Sequence, residues 1–197
     1  MAGQYSGTQT TKTFSYLYSG ARRALDIAES EEKGSFYQVM NCLILQAFTV
    51  EAYLNHLIDG NEEHGMTLSL RKNQPKVWDK YEAIAKALGL SQVKLIDAYP
   101  HVAAVLQFRN SLAHGKTESI SISETLDSNE APHRASDAQF PEWMRFCEIN
   151  NARLGLQSVT QLIEELHSRA GLGNDPLFSL GSGSYTFSLV ENEEAGL

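Results

Sequence analysis

A chain of 197 residues is long enough to bury one well-formed core and short for two, and 42% hydrophobic residues, 20% charged residues and only five prolines exclude a disordered or fibrous polymer. The formal charge of −8 argues against a phosphate-binding surface spread over the whole molecule. The acidity is unevenly placed: residues 1–116 hold 12 Lys+Arg against 11 Asp+Glu, whereas residues 117–197 hold 4 against 13.

Met1 to Lys12 is small and polar, with no basic segment leading into an apolar run, so it does not read as a secretion signal and a cytoplasmic location is expected. From Phe14 to about Lys33, Leu17, Ala21, Ala24, Leu25 and Ala28 predict an amphipathic helix that ends in a Glu cluster. A second helix is expected from Ser35 to about Ile58, with Met40, Leu43, Ala47, Val50, Leu54 and Leu57 as its core-facing stripe. No charge falls between Lys33 and Glu51, yet Gln38, Asn41 and Gln46 interrupt the run, which falls short of the roughly 20 apolar residues a membrane span needs. No membrane partner is expected.

Asp59-Gly60-Asn61 closes that helix, and Glu62-Glu63-His64 reads as a solvated turn. Pro75 suits the first turn of a third helix, in which Trp78, Tyr81, Ile84, Ala85 and Leu88 share a face while Lys76 and Lys80 project from roughly the other side. A fourth helical region spans Gln92 to about Ala113 with a break at Pro100, and Pro141 opens a last one that carries Phe146, Ile149, Leu156, Val159, Ile163 and Leu166. Between them, residues 117–140 form a long polar loop, with a brief strand-like alternation at Ser119–Ser123.

The spacing predicts an all-α bundle of four to five helices. Residues 1–170 are expected to form one helical domain with residues 1–12 flexible, and residues 171–197 a Gly/Ser-rich C-terminal tail in which Ser184 to Val190 has strand character. Cys42 and Cys147 lie in apolar helical patterns and are expected as unpaired small hydrophobes. With no CxxC, HExxH or close His/Cys cluster, neither a metal nor another cofactor is expected.

The stretch that carries chemistry is Gln107-Phe108-Arg109-Asn110-Ser111-Leu112-Ala113-His114-Gly115-Lys116, where an apolar helical run stops. Arg109 offers a planar fork of donors suited to a phosphate, and His114 can move a proton near neutral pH. Five residues on a regular helix turn through about 500°, which leaves the two side chains about 140° apart. They converge only through a distorted helix end, long side chains or a second copy of the motif. On helix 2, Glu51 and Asn55 share a face one turn apart.

The Arg-Asn-x-x-Ala-His-Gly pattern resembles the Arg-x4-6-His signature of the HEPN superfamily, in which a polar residue, here Asn110, follows the Arg. Phe48-Thr49-Val50-Glu51-Ala52-Tyr53-Leu54-Asn55 is similar to the second helix of many such domains, which often places an acidic residue near the Arg/His pair. The resemblance implies a two-fold homodimer with both motifs in one cleft, and metal-independent cleavage of RNA. It implies Arg109 and His114 as catalytic, with Glu51, Asn110 and Asn55 in support and Lys116 as a phosphate contact. An antitoxin or other regulatory protein is an implied partner. Toxins of this superfamily that pair with nucleotidyltransferases commonly carry a Tyr two residues after the His; Lys116 stands there instead.

Two other readings of the same residues stand beside this one. A non-catalytic dimeric module would bind a nucleotide, RNA or protein partner in the same cleft, and a purely structural role would make His114 a helix-terminal cap and Glu51 the counter-ion of Arg109.

Overall fold

The uncharged run between Lys33 and Glu51 forms most of the longest described helix. In the computed structural model, which describes residues 3–31, 33–70, 75–121, 140–173 and 175–189, the elements follow in the order β1 (Gly3–Thr11), α1 (Thr13–Ser30), α2 (Ser35–Asp59), α3 (Val77–Ala87), α4 (Leu95–Ala98), α5 (Pro100–Ala113), α6 (Glu142–Phe146), α7 (Ile149–Arg169) and β2 (Gly181–Leu189). Helix α2 packs against α1, α3, α5 and α7, and its stripe of Leu43, Ala47, Val50, Leu54 and Leu57 is fully buried among them. An apolar helix surrounded by others needs no charge over most of its length, which is why the sequence carries none there.

One polar side chain lies at the centre of this packing. The buried Gln46 donates from Nε2 to the carbonyl of Ala152 on α7 (2.7 Å) and to Cys42 Sγ (3.0 Å). Helix α7 comes this close because Gly155 has no side chain: a Cβ there would stand 2.3 Å from Gln46 Oε1 and 2.8 Å from Val105 Cγ2 on α5.

The expectation of an all-α bundle of four to five helices is overturned. Seven helices are present among the described residues, and the two ends of the chain pair as an antiparallel two-stranded sheet, with Gly3 opposite Leu189 and Thr11 opposite Gly181. The extra helices arise from two breaks. Tyr99, at φ −137° and ψ 73°, ends α4 because the residue before Pro100 is pushed out of the helical region. Cys147, at φ −72° and ψ 62°, separates α6 from α7.

Strand β2 covers most of the stretch from Ser184 that has strand character, whereas β1 lies in residues 1–12, expected to be flexible. All 18 residues of the sheet are exposed, so no buried face imposes an apolar alternation on β1, and its partner lies about 180 positions away. The base of the sheet is tied to the bundle: the Lys12 N–H donates to the Leu180 carbonyl (2.9 Å), and Ser15 Oγ to the carbonyls of Pro176 (3.2 Å) and Ser179 (3.0 Å). Of the alternation at Ser119–Ser123, residues 119–121 are irregular and the rest lies outside the described residues, as does most of the 117–140 loop. Both cysteines are free and buried, and burial pushes each thiol up to about 11. Among the described residues no helix is long and apolar enough to cross a membrane.

Alanine is the better helix former by about 1 kcal/mol, yet Gly155→Ala is expected to destabilise the fold by about 1–3 kcal/mol, because Gln46 and Val105 are themselves buried and have no room to retreat. Urea denaturation checks this, with the midpoint expected to fall at unchanged slope.

Candidate functional site

Helix α5 buries Val102, Val105, Leu106 and Phe108, and the next residue, Arg109, emerges at the rim of the core. Its Nη2 donates to Glu51 Oε2 on α2 at 2.8 Å. The other oxygen of the same carboxylate, Oε1, lies 3.5 Å from Lys80 Nζ on α3. The three side chains are 22% (Arg109), 31% (Glu51) and 12% (Lys80) exposed, so one half-buried carboxylate holds two cations from two other helices.

One turn before Glu51, Phe48 is 42% exposed and lies beneath the guanidinium, with Arg109 Cζ 5.8 Å from the ring centroid. Among the described residues the buried Nε of Arg109 has no hydrogen-bond partner. Such an orphaned donor costs about 1–3 kcal/mol, a cost that marks this guanidinium as incompletely satisfied by the protein alone.

The motif's histidine stands where α5 ends. His114 is the residue just past the last turn, its N–H donates to the Asn110 carbonyl (3.1 Å), and its ring is exposed. Asn110 is half-buried, and Lys116 is exposed beyond the helix. The structure brings Arg109 and Glu51 into direct contact. It does not bond His114, Asn110 or Lys116 to that pair, and among the described residues no side-chain hydrogen bond orients the His114 ring.

Asn55 belongs elsewhere. It lines a hollow of about 500 Å³ at the start of α1, with Lys12, His56 and His64, so sharing a helix face with Glu51 does not bring it to Arg109. A larger hollow of about 680 Å³ lies between residues 67–70 and α3, and neither hollow includes any residue of the 107–116 stretch.

Sequence reasoning missed two members of the site. Lys80 sits off the apolar stripe of α3 and reads as solvated, but its stem is packed along the bundle and only its ammonium is needed at the rim. Phe48 looks like one more apolar residue of α2; an exposed aromatic one turn from the only acidic residue on that stretch is the signal that distinguishes it.

A second cluster of titratable groups lies where the sheet meets the bundle. The rings of Tyr53, His56, His64 and His167 are linked in steps of 6.2 Å, and Tyr53 Oη lies 3.2 Å from Nδ1 of the buried His167. Burial, and then the charges of Lys12, His56 and His64, push the His167 imidazole down to about 4. His56 is also lowered, by burial first and then by Lys12 and His64, against a smaller opposing effect of Asp59. Among the described residues no group of three or more His, Cys, Asp or Glu side chains could hold a metal ion.

No family model matches the chain, and no curated protein or solved structure does so either.

The histidine cluster makes stability depend on pH with a definite sign. In the unfolded chain His167 titrates near its ordinary value of 6.5, whereas in the fold it takes a proton only near 4, so the unfolded state binds more protons between these limits. Its contribution to stability is complete above about pH 6.5 and is lost as the pH falls towards 4, with His56 adding to the same trend. The melting temperature is expected to drop from pH 7 to pH 5, and His167→Gln, which keeps an acceptor for Tyr53, is expected to flatten that drop. Equal slopes in thermal melts of the two proteins would contradict this.

Proposed function

We propose that this chain is a metal-independent endoribonuclease of the HEPN type that cleaves single-stranded RNA at the C-terminal end of α5, acting as a homodimer. The observation that carries the reading is the 2.8 Å bond between Arg109 and Glu51, because it joins the two stretches on which the resemblance rests. An exposed histidine stands five residues further along the same helix end.

The proposed reaction asks for a base that removes the proton of a 2′-hydroxyl as its oxygen attacks the phosphorus, and an acid that protonates the departing 5′-oxygen. His114 is the residue of the motif suited to both, and two copies in one cleft let one ring serve as base and the other as acid. Arg109 stabilises the charge that develops on the phosphate oxygens. Glu51 holds that guanidinium until substrate arrives, and Lys80 shares the carboxylate when Arg109 turns to phosphate. In this reading Asn110 and Lys116 add phosphate contacts, and Phe48 offers a face on which an unpaired base can stack. The two-fold arrangement answers the angular separation of Arg109 and His114 on one helix. It also concentrates cations in one cleft of an acidic molecule. The setting that suits such an activity is defence, RNA processing or a toxin–antitoxin pair, with an antitoxin or regulatory protein holding the site in check in the cytoplasm.

The competing reading, a non-catalytic module that binds a nucleotide, RNA or protein through this face, is favoured by one observation: Arg109 is already engaged by Glu51, and His114 has no side-chain partner among the described residues to orient it. Labelled single-stranded RNA and a DNA copy, incubated in EDTA with the protein and with folded Arg109→Ala and His114→Ala variants, separate the two. The nuclease reading expects cleavage of RNA alone, reduced by about 10²–10⁴ in each variant. No cleavage by any of the three proteins leaves the binding module, and equal cleavage by all three is contamination and withdraws the catalytic assignment.

A further inference from the structure

The two strands at the chain ends sort their residues sharply. One face of the sheet carries Gln4, Ser6, Thr8 and Thr10 with Ser182, Ser184, Thr186 and Ser188; the other carries Tyr5, Tyr185, Phe187 and Leu189 among glycines, with Gln9 and Thr11 at the end nearer the bundle. On the second face Tyr5 and Tyr185 stack at 5.6 Å with ring planes 9° apart, and the rings of Tyr185 and Phe187 lie across Gly7 and Gly3. Among the described residues nothing buries this face. Tyr5, Tyr185, Phe187 and Leu189 are 66%, 50%, 64% and 61% exposed.

A two-stranded sheet on its own is marginal in water, and natural sheets protect open edges with charge, proline or a covering element. Here neither strand contains a charged residue or a proline. Absence of charge also selects the partner. A nucleic acid or an anionic lipid surface is held by cations, and neither strand carries one.

The remaining fit is a neutral, apolar protein surface of the same length, which the same face of another copy provides through a self-complementary two-fold contact. Half-exposed aromatic and leucine side chains each offer on the order of 100 Å², so four from each copy bury roughly 800–1,000 Å² in total, the size of a weak, reversible interface. Gly3 and Gly7 let the Phe187 and Tyr185 rings lie down against the strand, which presents a low aromatic surface to a second copy.

We propose that the aromatic face of the β1–β2 sheet packs against the same face of a second copy of this chain. This contact is separate from the motif face and does not depend on any nuclease activity.

Sedimentation velocity over a concentration series tests it on the full chain, comparing the wild type with a Tyr5→Thr/Phe187→Thr double variant, in which threonine keeps the preference for extended backbone. The proposal expects association of the double variant to need at least tenfold higher concentration, with Arg109→Ala leaving this step unchanged. Identical association of wild type and double variant, or capture of uncharged lipid vesicles in place of self-association, overturns it. A second measurement does not rely on disrupting the face. Leu189→Cys and Ser188→Cys put one accessible thiol on the aromatic and the polar face of the same strand, and mild oxidation is expected to yield disulfide-linked dimers of the first and not the second. Equal cross-linking of both overturns the proposal.

Discussion

The buried amide of Gln46 fixes how α2 is turned, and the site depends on that rotation. Its bond to the Ala152 carbonyl, made across the gap left by Gly155, points one side of α2 at α7. Five residues later, about 140° further round the helix, Glu51 therefore faces away from α7, towards α3 and α5. A single hydrogen bond of this kind contributes only about 1 kcal/mol net, but its direction is not interchangeable with that of a methyl group. It sets an angle as well as a stability, and the angle brings a carboxylate to two cations.

At the rim those three charges are partly wet, so the pairing contributes little to stability and much to position. One carboxylate between a guanidinium and an ammonium leaves a local surplus of positive charge, in the half of the chain where basic and acidic residues balance. The acidic surplus lies in residues 117–197, beyond the motif. Overall charge and local charge are therefore different quantities here, and the local one decides what can approach Arg109.

The parts of the fold that the sequence discloses are those governed by a buried stripe. The spacing of Leu43, Ala47, Val50, Leu54 and Leu57 is legible because a core requires it, and the end of α5 at Ala113 is legible because its apolar pattern stops there. The meeting of Arg109 and Glu51 was anticipated as a charge pairing at the edge of that core. Positions set by the crossing of helices were not legible. Nothing local says that the stem of Lys80 lies against the bundle, or that Asn55, one turn from Glu51, faces a different hollow. The alternation of Tyr185, Phe187 and Leu189 discloses β2, whereas β1 was hidden because an exposed, polar-looking segment acquires its shape only from a distant partner.

That last feature also orders the chain in time. Thr11 pairs with Gly181 and Gly3 with Leu189, so the partners stand 170 to 186 positions apart. On a ribosome adding about 5–20 residues per second, the first strand emerges roughly ten to forty seconds before the second exists. Through that interval an uncharged segment with open edges waits without its partner strand, while the helices that follow it collect their local contacts. The sheet closes only once residues 181–189 exist, and among the described elements it alone requires a chain synthesised through its second strand.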